Sequence, residues 1–300
     1  MDGLLILLSI TAAGGLWLRF VYRYDKVEPE PIWTVLRIGV FGGLTAAVLA
    51  VIGNGLFEWI TGLDAGRRNS FLGSFFLAGF VGIWEELCKA FAAVLFLDKL
   101  EEMDEPIDAL IYSASVGLGF AFIENIIYAY KSGLLNVIVR SVTAMPLHVG
   151  LGAVLGIGIA RNKFIVRGNV FTEMGHFIGA AALIHAGYDF INFYSSSAFL
   201  NLLLSTGISI GLMFLVRKRL LFFQNQSPFL KAGDCSHCGF SNPPDSKNCL
   251  NCGREMAQFF FKVCTHCRIK VPLHFEKCPS CDRILETPPE ATAPGKLELW

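Results

Sequence analysis

The chain has 300 residues, of which 53% are hydrophobic and only 17% charged, and its mean hydropathy is +0.52. Soluble domains carry about 25% charged residues, so this composition excludes an ordinary soluble globular protein and points to a membrane body. The 25 basic and 25 acidic residues cancel, which removes any general electrostatic attraction to nucleic acid.

Seven apolar spans follow one another, at 3–22, 34–57, 70–97, 107–130, 134–160, 171–194 and 199–216. The first has no basic segment before it and is long enough to cross a bilayer, so it reads as a retained helix and not as a cleaved signal. Pro29 and Pro31 break the chain after it, which makes Tyr24 to Pro31 an exposed linker. An acidic loop, 98–108, separates the third and fourth spans and is stopped by Pro106. In the fifth span, Pro146 is expected to kink the helix just before His148.

Basic residues near the span ends set the orientation. Arg23, Lys26, Lys99, Arg161, Lys163, Arg167, Arg217, Lys218 and Arg219 fall on one side, against Arg67, Arg68, Lys131 and Arg140 on the other. The first side should be cytoplasmic, with the N-terminus outside and the C-terminal tail in the cytosol.

The nine cysteines are unevenly spread: Cys88 stands alone in the first 230 residues, and eight lie between Cys235 and Cys281. They read Cys235-x-x-Cys238, ten residues, Cys249-x-x-Cys252, and again Cys264-x-x-Cys267, ten residues, Cys278-x-x-Cys281. Each cysteine of the second unit lies 29 positions after its counterpart, so the tail is a tandem duplication. Four thiolates per unit at this spacing make a closed structural Zn²⁺ site. The alternative, disulfides, requires an oxidising compartment and conflicts with a cytosolic tail. Units this small have too little core to fold without metal. The domains are therefore a membrane unit at 1–223, a double zinc ribbon at 224–286, and a disordered tail at 287–300. The mildly basic ribbon suits docking of a cytosolic protein better than binding nucleic acid.

Charged groups inside spans are costly, about 2.5–3.5 kcal/mol each on insertion scales. Glu85, Glu86 and Lys89 nevertheless fall within the third span, Glu124 and Asn125 in the fourth, His148 in the fifth, and His185 and Asp189 in the sixth. Lys89 is four residues from Glu85 and is expected to pair with it on one helix face, which leaves Glu86 as the free carboxylate. His185 and Asp189 are likewise one turn apart. His176, half a turn away from the His185 face, is assigned to packing. Gly117 and Gly119 let another helix approach the fourth span closely. Buried charges must compensate one another, so these four helices should converge. His148, His185 and Glu124 could then hold a catalytic divalent metal such as Zn²⁺, with a remaining glutamate as general base for peptide hydrolysis. A metal-free arrangement, with a glutamate base and two histidines stabilising an oxyanion, uses the same residues.

Glu85-Glu86-x-x-Lys89, Phe120-x-x-x-Glu124, His148-x-x-x-Gly152 and His185-x-x-x-Asp189 come one per span. In that order they resemble the PrsW family of intramembrane proteases, related to the CAAX prenyl endopeptidases. Glu28-Pro29-Glu30-Pro31 and Glu105-Pro106-Ile107-Asp108 also look like the family, and the likeness covers about 15–216. It implies an endopeptidase usually classed as a metalloprotease and residing in a prokaryotic plasma membrane. Glu85, Glu86, Lys89, Glu124, His148, His185 and Asp189 would form its site. Its substrate would be a membrane-anchored protein in the lipid bilayer, such as an anti-sigma factor. Glu124 stands where the prenyl endopeptidases have a His, so no CAAX substrate is implied.

The expected fold is an all-α polytopic bundle of about seven transmembrane helices with a small Cys₄ double zinc-ribbon tail. Two other classes compete with a protease. A proton- or ion-coupled transporter would use the same buried charges and predicts inverted repeats, which the membrane region does not show. A non-catalytic receptor signalling through its ribbon predicts that the glutamates are dispensable.

Overall fold

The computed structural model describes residues 2–65, 69–230, 233–243, 246–256, 261–267, 269–273 and 275–285. The 287–300 tail, Arg67 and Arg68 lie outside them. Among the described residues there are seven α-helices: α1 (Asp2–Tyr22), α2 (Ile32–Thr61), α3 (Phe71–Leu97), α4 (Pro106–Val142), α5 (Ala144–Arg161), α6 (Val170–Tyr194) and α7 (Ala198–Gln224). Five of them, α1, α2, α4, α5 and α7, are long and apolar enough to cross a membrane. The other two, α3 and α6, carry Glu85, Glu86 and Lys89, and His185 and Asp189. The surface carries exposed large apolar side chains, among them Leu4, Val40, Trp59, Phe76, Leu135, Leu183 and Phe214. Such a girdle, around an interior that holds the ionisable residues, is what a lipid environment selects.

Helix starts are set by short polar caps. Ser70 Oγ accepts from the Gly73 N–H at 3.1 Å, Asn169 Oδ1 from Phe171 and Thr172, and Ser197 Oγ from Leu200. Ser141 Oγ and Thr143 Oγ1 instead satisfy carbonyls in the last turn of α4.

The break between the fourth and fifth spans differs from expectation. α4 bends at Gly133 (φ 74°, ψ −173°) and continues to Val142, and α5 begins at Ala144. The interruption at Thr143, between Val142 and Ala144, lies three to four residues before Pro146, where a proline's missing N–H and its ring against the i−4 carbonyl break a helix, so the expected kink before His148 is present at this junction. α7 also runs past its basic triplet to Gln224, because Leu220 and Phe223 are fully buried against the bundle.

α5 is the hub. Every residue from Ala144 to Ala160 is buried, and the helix packs on α3, α4, α6 and α7. At one face of the bundle, Tyr22 Oη donates to the Glu30 carbonyl at 2.6 Å and Lys163 Nζ to the Leu100 carbonyl at 3.2 Å. At the other, Phe71 packs edge-on to Phe190 and Tyr194.

The tail folds onto the first face. Four-cysteine groups form at Cys235, Cys238, Cys249 and Cys252 and at Cys264, Cys267, Cys278 and Cys281. Tetrahedral Zn–S bonds of about 2.3 Å place sulfurs about 3.8 Å apart. The observed Sγ···Sγ contacts are 3.7 and 3.6 Å in the first group and 3.6 and 3.5 Å in the second. All eight cysteines are free, so the groups fit zinc and not disulfides. In the second ribbon β1 (Phe261–Val263) pairs antiparallel with β2 (Lys270–Pro272), in register Lys262 to Val271. Leu273 N–H donates to the Phe164 carbonyl at 3.1 Å, and the Phe164 and Phe261 rings meet at 5.7 Å. Asn225 Nδ2 donates to the Glu255 carbonyl at 2.6 Å, tying the first ribbon to the end of α7.

Candidate active site

Close helix approach builds the site. A Cβ on Gly117 would lie 2.2 Å from the His148 carbonyl, and one on Gly82 would lie 2.7 Å from the Ala186 N. Only glycine lets α4 reach α5 at His148 and α3 reach α6 at His185. Gly117→Ala is expected to cost about 1–3 kcal/mol through overpacking and to displace His148. A lowered unfolding midpoint together with lost activity would be the measured result.

Seven residues singled out in the sequence converge: Glu85, Glu86, Lys89, Glu124, His148, His185 and Asp189 are linked to one another by side-chain contacts. His176, on the exposed side of α6, is apart from them. His185 lies nine residues before the end of α6, about 14 Å along the axis. His148 is only four residues into α5. The site thus sits inside the bundle, towards the face opposite the ribbons.

The pairing of Lys89 differs from expectation. Its ammonium contacts Glu86 Oε1 at 2.6 Å (i, i+3), not Glu85, and His148 Nδ1 at 2.9 Å. Lys89 also lies 4.4 Å from the Phe120 ring centre. Three and four residues along a helix are both near one face, and His148 and His185 on the Glu86 side decide between them. Glu86 Oε1 also accepts from His185 Nδ1 at 2.8 Å. Glu86 is therefore engaged, and Glu85 is the carboxylate without a fixed cation. Glu85 Oε1 accepts from Asn54 Nδ2 at 2.9 Å.

The partners assign the tautomers. An ammonium only donates, so His148 Nδ1 accepts from Lys89 and its Nε2–H donates to Glu124 Oε2 at 2.9 Å. His185 donates Nδ1–H to Glu86, which turns its Nε2 lone pair towards Asp189 Oδ2 at 3.5 Å and Glu85 Oε2 at 3.7 Å. Both of those carboxylate oxygens are buried and without a hydrogen-bond partner. A histidine that gives its second N–H to a carboxylate is held as metal-binding histidines are. Glu85, His148 and His185 offer ligand atoms within 4.8 Å of one another. Glu124, the other candidate ligand, lies outside that trio.

Sequence reasoning missed three groups here. Arg140, counted as a marginal topology charge, instead pairs with Glu124 Oε2 at 2.6 Å, donates through Nε to Asn125 Oδ1 at 2.8 Å and stacks 3.8 Å over the Tyr128 ring. Asn54 in α2 anchors Glu85. Tyr188 Oη donates to Thr143 Oγ1 at 3.1 Å, bracing α6 against the start of α5. The one available signal was Arg140 itself, a guanidinium amid the apolar run 134–142.

A family model described as PrsW family intramembrane metalloprotease matches residues 30–217, and one described as double zinc ribbon matches residues 235–282. The curated protein "Protease PrsW" of Geobacillus kaustophilus is 29% identical over 180 residues, 60% of this chain and 76% of its own length. Its namesake in Bacillus subtilis is 28% identical over 180 residues, 60% of this chain and 79% of its own. The one from Shouchella clausii is 30% identical over 188 residues, 62% and 82%. No solved structure matches the chain.

Proposed function

Because the chain belongs to the PrsW family of intramembrane metalloproteases, and is by that membership an intramembrane protease acting on membrane proteins, we propose that it hydrolyses a peptide bond of a membrane-anchored protein with Glu85 as general base. The supporting observation is that Glu85 Oε2, Asp189 Oδ2 and His185 Nε2 face one another with no donor among them. Three acceptors so placed need a positive charge between them, supplied by protons or by a metal.

The donor set fits a divalent metal. Four carboxylates, Glu85, Glu86, Glu124 and Asp189, stand against Lys89 and Arg140, which leaves two negative charges with both imidazoles neutral. His185 Nε2 and Asp189 Oδ2 would hold a Zn²⁺, and His148 would join them only by giving up the Lys89 contact that occupies its Nδ1 lone pair. When bound, such an ion polarises the peptide carbonyl and acidifies water. The chain's own groups do the rest. Asn54 fixes Glu85 so that Oε2 can take a proton from water. Glu86 orients His185, Lys89 balances Glu86, and Arg140 with Glu124 holds the His148 ring.

The ribbon face is the cytosolic face of a prokaryotic plasma membrane on this reading, supported by Arg23, Lys99, Arg161, Lys163 and Arg217–Arg219 near the helix ends on the ribbon side. The membrane unit then ends near 223, and the site opens towards the outer leaflet. Phe240 and Leu250, exposed on the first ribbon, suit a cytosolic protein partner. Purified protein should cleave a tagged membrane-anchored substrate, with anti-sigma factors tested first, and His185→Ala should abolish cleavage. Proton flux in liposomes without cleavage would refute the reading.

A further inference from the structure

A second cluster of buried acids lies on the ribbon side, away from the site above. Asp25 and Glu30 come from the linker between α1 and α2, and Glu105 and Asp108 from the start of α4. All four are buried, Asp108 completely. Asp25, Glu105 and Asp108 each offer a carboxylate oxygen within 4.8 Å of the others, and the Glu30 and Asp108 carboxyls are in contact.

Part of the cluster is organised by the backbone and by neighbouring hydroxyls. The Glu30 N–H donates to Asp25 Oδ2 at 2.7 Å, and the Glu105 N–H to Asp108 Oδ2 at 2.6 Å. Tyr112 Oη donates to Glu30 Oε2, and Ser227 Oγ to Glu105 Oε1. The remaining oxygens Asp25 Oδ1, Glu30 Oε1 and Asp108 Oδ1 are buried, and among the described residues no N–H or O–H group donates to them. Among the described residues, no Lys, Arg or His forms an ion pair with any of the four. Uncompensated carboxylates packed this closely repel one another strongly.

We propose that Asp25, Glu105 and Asp108, backed by Glu30, form a binding site for a hard divalent cation, Mg²⁺ or Ca²⁺. An all-oxygen, all-carboxylate donor set selects these ions over Zn²⁺. Through Ser227 the same site touches the segment between α7 and the ribbons, so the cation clamps the α1–α2 linker, α4 and the ribbon attachment together.

The zinc-loaded full chain in detergent would be titrated with ⁴⁵Ca²⁺, with Mg²⁺ as competitor to tell the two ions apart. Asp25→Asn and Asp108→Asn should each weaken binding at least tenfold with zinc content unchanged. Asp25→Asn carries the test alone if Asp108→Asn does not fold. Added cation should raise the unfolding midpoint of the wild type and not of Asp25→Asn. Without cation, Asp25→Asn should unfold no earlier than the wild type, because it removes a repulsion. The proposal is overturned if binding survives both substitutions, or if it is lost only in Glu85→Gln, which would place the ion in the membrane site. It is also overturned if millimolar cation neither binds nor shifts the midpoint, which would mean that protons alone neutralise the cluster.

Discussion

Glu85→Gln is expected to lower the rate of substrate cleavage by about 10²–10⁴-fold, the range for removing a general base, and to leave the protein folded. The amide keeps the size of the side chain and can still meet Asn54, which holds Oε1 in the native site. Glu86→Gln should behave differently. Glu86 Oε1 is the shared acceptor of Lys89 and His185, so its loss leaves a buried ammonium without a carboxylate. Breaking one side of a buried pair costs about 3–5 kcal/mol. Glu86→Gln should therefore lower the unfolding midpoint as well as the activity, and Glu86→Gln with Lys89→Met should recover the midpoint without recovering activity. Cleavage rates and melting curves measured on the same preparations separate the two roles. A Glu86→Gln protein as stable as wild type would show that Lys89 does not depend on it. Full activity in Glu85→Gln would remove Glu85 as the base.

Cys264→Ser is expected to lose one zinc per chain and to unfold the second ribbon, since a structural zinc supplies about 10–16 kcal/mol of apparent folding free energy to a unit this small. The first ribbon has its own four thiolates, so Cys249→Ser should remove the other zinc independently. Substituting all eight ligands leaves whatever metal the membrane site holds. One remaining zinc, lost in turn on His185→Ala, would identify a metal held at His185 and Asp189, as distinct from a Mg²⁺ or Ca²⁺ in the acidic cluster. No remaining zinc would mean that protons balance the site. Substitution is preferable to truncation here, because Asn225, Leu273 and Phe261 pack the tail onto the bundle, and deleting it would disturb α7 and the loops beneath.

Much of this was readable from residue order alone, for physical reasons. Zinc-ribbon ligation depends on local spacing, and the 29-residue repeat carries it whole. Span positions follow from runs of apolar residues, whose cost of exposure is indifferent to neighbours. The expense of burying charge identified Glu85, Glu86, Lys89, Glu124, His148, His185 and Asp189 before any helix was placed against another. One local detail shifted: the fourth span does not end near 130 but bends at Gly133 and runs on to Val142, so the chain break falls at Thr143, just before Pro146.

What the sequence determined by itself, then, was which groups must find partners in a membrane bundle and in a zinc-bound tail. Which partner each one found was decided by tertiary structure. Lys89 could reach Glu85 or Glu86, and the approach of α5 and α6 on the Glu86 side settled it. Arg140 became an ion-pair partner because α4 bends back beside its own Glu124. Asp25 and Glu30 meet Glu105 and Asp108 across more than 70 residues of chain. Burial cost belongs to a residue and can be read one position at a time, whereas compensation belongs to a pair, and pairs exist only once the helices are packed.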